Sequence, residues 1–166
     1  MDIPEILAQI DSYHCRLVEI TGGEPLLQQE TPVLIRTLLD LGYTVLLETN
    51  GSQDIRMIDD RCNRILDIKC PSSGESRKNC LGNLEVLTAR DEIKFVIGSR
   101  EDYEYAKFIL STYLPQRDYL NPPLLSPVSN RIDAEELARW ILDDHLDARL
   151  QLQLHKLIWS PEQRGV

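Results

Sequence analysis

The sequence predicts an α/β protein in which parallel strands form one sheet and helices connect them. Two observations predict this. Short apolar runs of strand length alternate with longer amphipathic runs of helical period, and strands alternating with helices form right-handed parallel βα units. The strand runs also end in strings rich in glycine, proline and hydroxyl residues, the place where parallel α/β folds carry their sites. The pattern allows helices on one side of a curling sheet or on both sides of an open one.

Each element follows from its spacing. Ile3, Ile6, Leu7 and Ile10 make a helical stripe over Ile3–Tyr13. Leu17–Ile20 is strand-like and runs into Thr-Gly-Gly. Val33, Leu34, Leu38 and Leu41 mark a helix over Pro32–Leu41, stopped by Gly42. Tyr43–Glu48 and Arg64–Ile68 are strands ending in Thr-Asn-Gly and Lys-Cys-Pro-Ser-Ser-Gly, and Glu92–Ile97 is a fourth. Tyr105, Phe108, Ile109 and Tyr113 give a helix over Asp102–Tyr113. Pro122–Leu125 is a short strand ending in Ser-Pro. Asp133–Asp144 is a helix, with Asp133 as N-cap and Glu136 in the reciprocal capping position. The alternation of Arg149–Leu154 marks a last strand, with Gln151, Gln153 and His155 facing the polar centre and the leucines under helices.

Composition narrows the function classes. The chain has 166 residues, 18 basic and 27 acidic, for a formal charge of −9. That length suits one domain, and the apolar fraction of 42% argues against disorder. The negative charge argues against nucleic acid and anionic membranes as partners. No apolar run reaches the roughly 20 residues of a membrane span. Asp2 and Glu5 follow Met1 where a signal peptide would be basic and then apolar, so the expected location is the cytoplasm. Cys15, Cys62, Cys70 and Cys80 are separated by 47, 8 and 10 positions, which is neither a disulfide scaffold nor a zinc spacing. They read as reduced, mostly buried thiols, with Cys70 and Cys80 structural.

Three strand-end strings carry the chemistry. In Thr21-Gly22-Gly23-Glu24-Pro25, adjacent glycines let backbone approach a ligand, and Glu24 can accept hydrogen bonds from an ammonium group. Glu48, ending an apolar strand, faces a cavity because unpaired burial of charge is costly. Lys69 among the hydroxyls of Asp67–Gly74 suits recognition of a carboxylate or a hydroxyl.

These strings resemble the radical S-adenosylmethionine superfamily. Together with Leu125–Val128 and the terminal Gln151-Leu152-Gln153-Leu154-His155-Lys156, they resemble its 7-carboxy-7-deazaguanine synthase family, from about residue 16 onward. The resemblance implies a partial (β/α) barrel of parallel strands with outer helices, lacking its first strand. It also implies conversion of 6-carboxy-5,6,7,8-tetrahydropterin to 7-carboxy-7-deazaguanine with release of ammonia, in queuosine and deazapurine biosynthesis.

By the same resemblance, Gly23 and Glu24 contact the amino acid part of S-adenosylmethionine. Lys69, Pro71 and Ser72 lie at its ribose or carboxylate, and Ser126, Pro127 and Val128 border the adenine. Thr21, Glu48 and His155 face the pterin, and Pro161 matches a terminal proline that helps hold Mg²⁺ or substrate. Here Glu162–Val166 follow Pro161. The family holds a [4Fe–4S] cluster on three closely spaced cysteines and binds Mg²⁺ through a threonine. Neither motif occurs in this sequence, so no metal ligand is assigned. Residues 1–166 read as a single truncated domain, inactive for want of the cluster motif, with a sheet edge open to homodimer formation. Two other readings stay open: a non-catalytic binder of S-adenosylmethionine or a purine, and another radical enzyme such as a glycyl-radical activase.

Overall fold

The computed structural model describes residues 1–114, 121–154 and 158–159. Six strands form one sheet in the order of the chain: β1 (Leu17–Ile20), β2 (Thr44–Thr49), β3 (Asn63–Ile68), β4 (Glu92–Ile97), β5 (Leu124–Pro127) and β6 (Arg149–Leu150). Every neighbouring pair is parallel. The helices are α1 (Ile3–Ser12), α2 (Thr31–Asp40), α3 (Arg100–Tyr113) and α4 (Ala134–Asp143). No helix among the described residues is long and apolar enough to cross a membrane.

Strand alternation builds the core on one face only. Val45 and Leu47 of β2, Leu66 and Ile68 of β3, Ile93, Phe95 and Ile97 of β4, and Leu125 of β5 are all buried. The register sets these residues side by side, Leu66 against Ile93 and Phe95 against Leu125. Leu7 and Ile10 of α1 and Ile35 and Leu38 of α2 pack under β1 and β2, while Tyr103, Ile109 and Leu137 of α3 and α4 pack under β3 to β5. All four helices therefore cover the same face, which settles the alternative left open by the pattern. The opposite face, which no described helix covers, carries Glu48, partnered in register by Ile65, and the register partners Asp67 and Lys94.

A buried ion pair closes the base of the core. Arg64 and Asp91 are almost fully buried, with Nη2 to Oδ2 at 2.6 Å and Nε to Oδ1 at 3.0 Å. Asp91 also accepts the backbone N–H groups of Arg64 and Thr88 and the Thr88 hydroxyl, so its charge is satisfied locally.

The structure corrects several expected details. Helix α3 begins two residues early because Ser99 caps it, its hydroxyl accepting from the Asp102 N–H. Asp133 stands at the N-cap of α4, but its carboxylate makes no capping bond. The reciprocal box occurs instead at α1, between Asp2 and Glu5. Only Cys62 and Cys70 are buried, while Cys15 and Cys80 are exposed; all four are free thiols.

The last strand is shorter than its alternation suggests. Arg149 and Gln151 donate their backbone N–H groups to Pro123 and Leu125, and there the ladder stops. The next rung would need an N–H from Pro127, which has none. The Ser126 hydroxyl donates to the Gln151 carbonyl in its place, at 2.8 Å. Leu150, Leu152 and Leu154 are 39%, 42% and 60% exposed rather than packed under helices. Gln153 lines the central cleft, on the face expected for it.

Candidate functional site

The chemistry-bearing strings converge at the C-terminal ends of the strands. After β1, Gly22 and Gly23 adopt φ of 98° and 58°, a left-handed conformation that disfavours any side chain. A Cβ at either position would meet nothing within 4 Å, so this turn presents bare backbone to open space.

Glu24 fixes that turn. Its carboxylate accepts from the Leu26 N–H at 3.0 Å, the Asn50 N–H at 2.7 Å and the Thr49 hydroxyl at 2.8 Å. The side chain expected to receive a ligand's ammonium group thus first ties the β1 turn to the end of β2. The two oxygens offer about four lone-pair positions and three donors occupy them, which leaves one for a ligand.

Glu48 turns to the concave side, opposite Leu47, as alternation requires. Its Oε1 accepts from Lys94 Nζ at 2.7 Å, and Oε2 lies 3.5 Å from the Thr21 hydroxyl. Beside it, Lys69 Nζ donates to Asp67 Oδ2 at 2.6 Å. Asp67 is 7% exposed, and its Oδ1 has no hydrogen-bond partner among the described residues. A cleft of about 590 Å³ is lined by Glu48, Asp67, Lys69, Ser72, Lys94 and Gln153, among others. A second cleft of about 520 Å³ is lined by Glu24, Asn50, Ser52 and Lys69, among others. Lys69 lines both. Its backbone is held by Asn79, which accepts from the Lys69 N–H at 3.0 Å and donates to the Lys69 carbonyl at 2.9 Å.

The remaining expected residues fall in different places. Pro71 opens the tight turn Pro71–Ser73, and Ser72 of that turn lines the larger cleft. Val128 lines the same cleft, and Pro127 lines a smaller one of about 340 Å³ with Leu152 and Gln153. Ser126 is fully buried and its hydroxyl donates to the Gln151 carbonyl, which anchors β6. His155 and Pro161 lie outside the described residues. Lys94, Asp67 and Asn79 were not singled out in the sequence. For the first two a signal existed: Lys94 alternates with Ile93 and Phe95, and Asp67 with Leu66 and Ile68, which places both on the non-core face.

All four cysteines are free, and the two buried ones, Cys62 and Cys70, belong to separate core clusters. Burial pushes the Cys62 thiol up to about 12 and raises the Cys70 thiol as well. No group of three or more His, Cys, Asp or Glu among the described residues is placed to hold a metal ion. These side chains do not fit a [4Fe–4S] cluster or Mg²⁺. The open glycine turn, the free position on Glu24 and the two clefts meeting at Lys69 do fit S-adenosylmethionine.

A parallel sheet in chain order, helices on one face and a Gly-Gly-Glu-Pro turn after the first strand define a partial barrel of the radical S-adenosylmethionine class. No family model matches the chain. The crystal structure of QueE from Escherichia coli superimposes with a TM-score of 0.66 at 26% identity, over 92% of this chain and 64% of that one. Streptococcus suis SuiB bound to S-adenosylmethionine shares the fold, with a TM-score of 0.54 at 12% identity over 89% of this chain and 42% of that one. The 7-carboxy-7-deazaguanine synthase of Koribacter versatilis is 41% identical over an alignment of 163 residues that covers 90% of this chain and 72% of the relative. That of Chlorobaculum tepidum is 40% identical over 171 residues, covering all of this chain and 76% of the relative. The chain belongs to the 7-carboxy-7-deazaguanine synthase family.

Proposed function

We propose that the chain forms the S-adenosylmethionine- and pterin-binding framework of a carbon–nitrogen lyase that contracts 6-carboxy-5,6,7,8-tetrahydropterin to 7-carboxy-7-deazaguanine and releases ammonia. The observation that carries this reading is the Thr21–Glu48–Lys94 row on the concave face, beside the bare Gly22-Gly23 turn. Glu48 presents a carboxylate plane to the guanidine-like edge of a pterin, whose two donors it accepts side by side. Lys94 orients that carboxylate.

On the cofactor side, the Gly23 backbone and the free position on Glu24 receive an ammonium group, and Lys69 receives a carboxylate. Pro127 and Val128 offer apolar surface to an adenine ring. S-adenosylmethionine bound there would supply hydrogen-atom abstraction from the pterin, given an electron from a reductant outside these residues. The chain's own residues bind, orient and exclude water.

Calorimetric titration of the chain with each ligand tests the reading. Saturable binding of both is expected, and binding of neither overturns it. A second reading, a binder of the same ligands without chemistry, is favoured by the scattered cysteines. Formation of 7-carboxy-7-deazaguanine under anaerobic reduction excludes that reading, and binding without product supports it.

A further inference from the structure

We infer that Asp102 is a positioning residue: it sets Ser72 as a hydrogen-bond acceptor for a ribose hydroxyl of the nucleoside cofactor. This rests on the function proposed above. Asp102 is fully buried in the first turn of α3, far in sequence from every strand-end string. Its carboxylate turns across to the Pro71–Ser73 turn. Oδ1 accepts from the Ser72 N–H at 2.9 Å, and Oδ2 accepts from the Ser72 hydroxyl at 2.5 Å and from the Gly98 N–H at 2.8 Å.

The approach is close enough to dictate the residue at 98. A Cβ on Gly98 would stand 2.9 Å from Ser72 Oγ and 3.3 Å from both Asp102 Oδ2 and Val128 Cγ2. Gly98 therefore permits the contact between the β4–α3 turn and the β3 loop. Three donors, two backbone N–H groups and one hydroxyl, thus converge on the two Asp102 oxygens in the first turn of α3.

The consequence concerns the hydroxyl hydrogen. Ser72 has one O–H, and Asp102 takes it. Toward the cleft Ser72 Oγ offers lone pairs only, backed by a negative charge. A ligand carboxylate is repelled there, whereas a ligand hydroxyl donates. Lys69, three residues earlier and lining the same cleft, has the complementary preference for a carboxylate. The two residues thus divide the cofactor between them, with its hydroxyl-bearing ring at Ser72 and its carboxylate at Lys69.

The test is titration of the full chain with S-adenosylmethionine and with analogues lacking the 2′ or the 3′ hydroxyl. In the parent, removal of one of these hydroxyls weakens binding about tenfold, the effect of a hydrogen bond to a charge-backed acceptor. In Ser72→Ala and Asp102→Asn the same removal changes affinity by no more than about twofold. This ratio of two ligands on one protein is not moved by a merely structural loss. Amide hydrogen exchange of the unliganded parent adds a readout that needs no variant: the Ser72 and Gly98 amides are expected to be protected although their turns lie at the surface.

Undiminished discrimination in folded Asp102→Asn overturns the inference alone, as does exchange of both amides at open-loop rates. A parent that binds the cofactor without regard to either hydroxyl also overturns it alone. A parent that binds no S-adenosylmethionine overturns the proposed function, and this inference with it. If Asp102→Asn does not fold, Ser72→Ala and the exchange data decide.

Discussion

Glu48 of β2 and Lys94 of β4 meet at 2.7 Å across the strand that separates them. Both side chains stand on the uncovered face, and their combined length spans the intervening strand β3. The pair is 25% and 15% exposed, enough shielding for the charges to matter beyond a surface contact.

Lys94 also decides the outcome of a conservative change at Glu48. In Glu48→Gln, the amide oxygen stays with the Lys94 ammonium and the NH₂ group takes the other position, toward Thr21 and the ligand. A donor then faces the donors of the pterin edge. Pterin affinity should fall about tenfold or more, since a mismatched buried hydrogen bond costs about 1–3 kcal/mol. S-adenosylmethionine binding should change by less than about twofold. Calorimetric titration with both ligands checks this, and equal losses would show that Glu48 does not read the pterin.

Lys94→Met should also weaken pterin binding, by a route that depends on Glu48. It removes the counter-charge and leaves the carboxylate unoriented. Combined with Glu48→Gln it should add little, giving a coupling on the order of 1 kcal/mol in a double-mutant cycle of pterin affinities. Strict additivity would mean that the two residues act separately.

The fold was legible because one physical signal, alternation against helical period, runs through the whole chain and the core lies on one face only. The same alternation that marks Ile93, Phe95 and Ile97 as core marks Lys94 as facing the site. Partnership was not legible. Nothing local to Glu24 shows that Thr49 and Asn50 claim its oxygens, and nothing near Ser72 points thirty residues on to Asp102. The end of β6 depended on a proline in the neighbouring strand, so a reading of Arg149–Leu154 by itself overran it. Such contacts join residues that only the folded sheet brings together.

The Arg64–Asp91 pair makes a prediction about stability alone. Removing one partner of a buried pair leaves the other charge uncompensated, so Asp91→Ala should destabilise the chain by about 3–5 kcal/mol. Arg64→Met should cost less. It removes the guanidinium, but Asp91 keeps the N–H of residue 64, the Thr88 N–H and the Thr88 hydroxyl. Denaturant midpoints compare the two. Equal losses would show that the backbone donors contribute nothing to the role of Asp91.

The cysteines separate by reactivity and by pH. The thiolate is the reacting form, and burial holds Cys62, with an ordinary value of 9.0 raised to about 12, in its neutral state. Cys70 is shifted in the same direction by the same cause, with the negative charges of Asp102 and Asp67 adding to it. At pH 8, iodoacetamide should modify Cys15 and Cys80 in the native chain and all four only after unfolding, as mass spectrometry of the labelled peptides would read. The sign of the pH effect follows. Above pH 9 the unfolded chain loses the Cys62 proton while the folded chain keeps it, so this contribution to stability is complete below pH 9 and is lost toward pH 12. A Cys62→Ala variant should therefore show a shallower fall in stability over that window, and an unchanged slope would refute burial as the cause. Thiols so placed are also poor cluster ligands. After anaerobic reconstitution with iron and sulfide, the chain should retain well under one [4Fe–4S] cluster, whose iron needs converging thiolates. About four irons per chain, lost when Cys15, Cys70 and Cys80 are replaced in turn, would show that these cysteines converge after all.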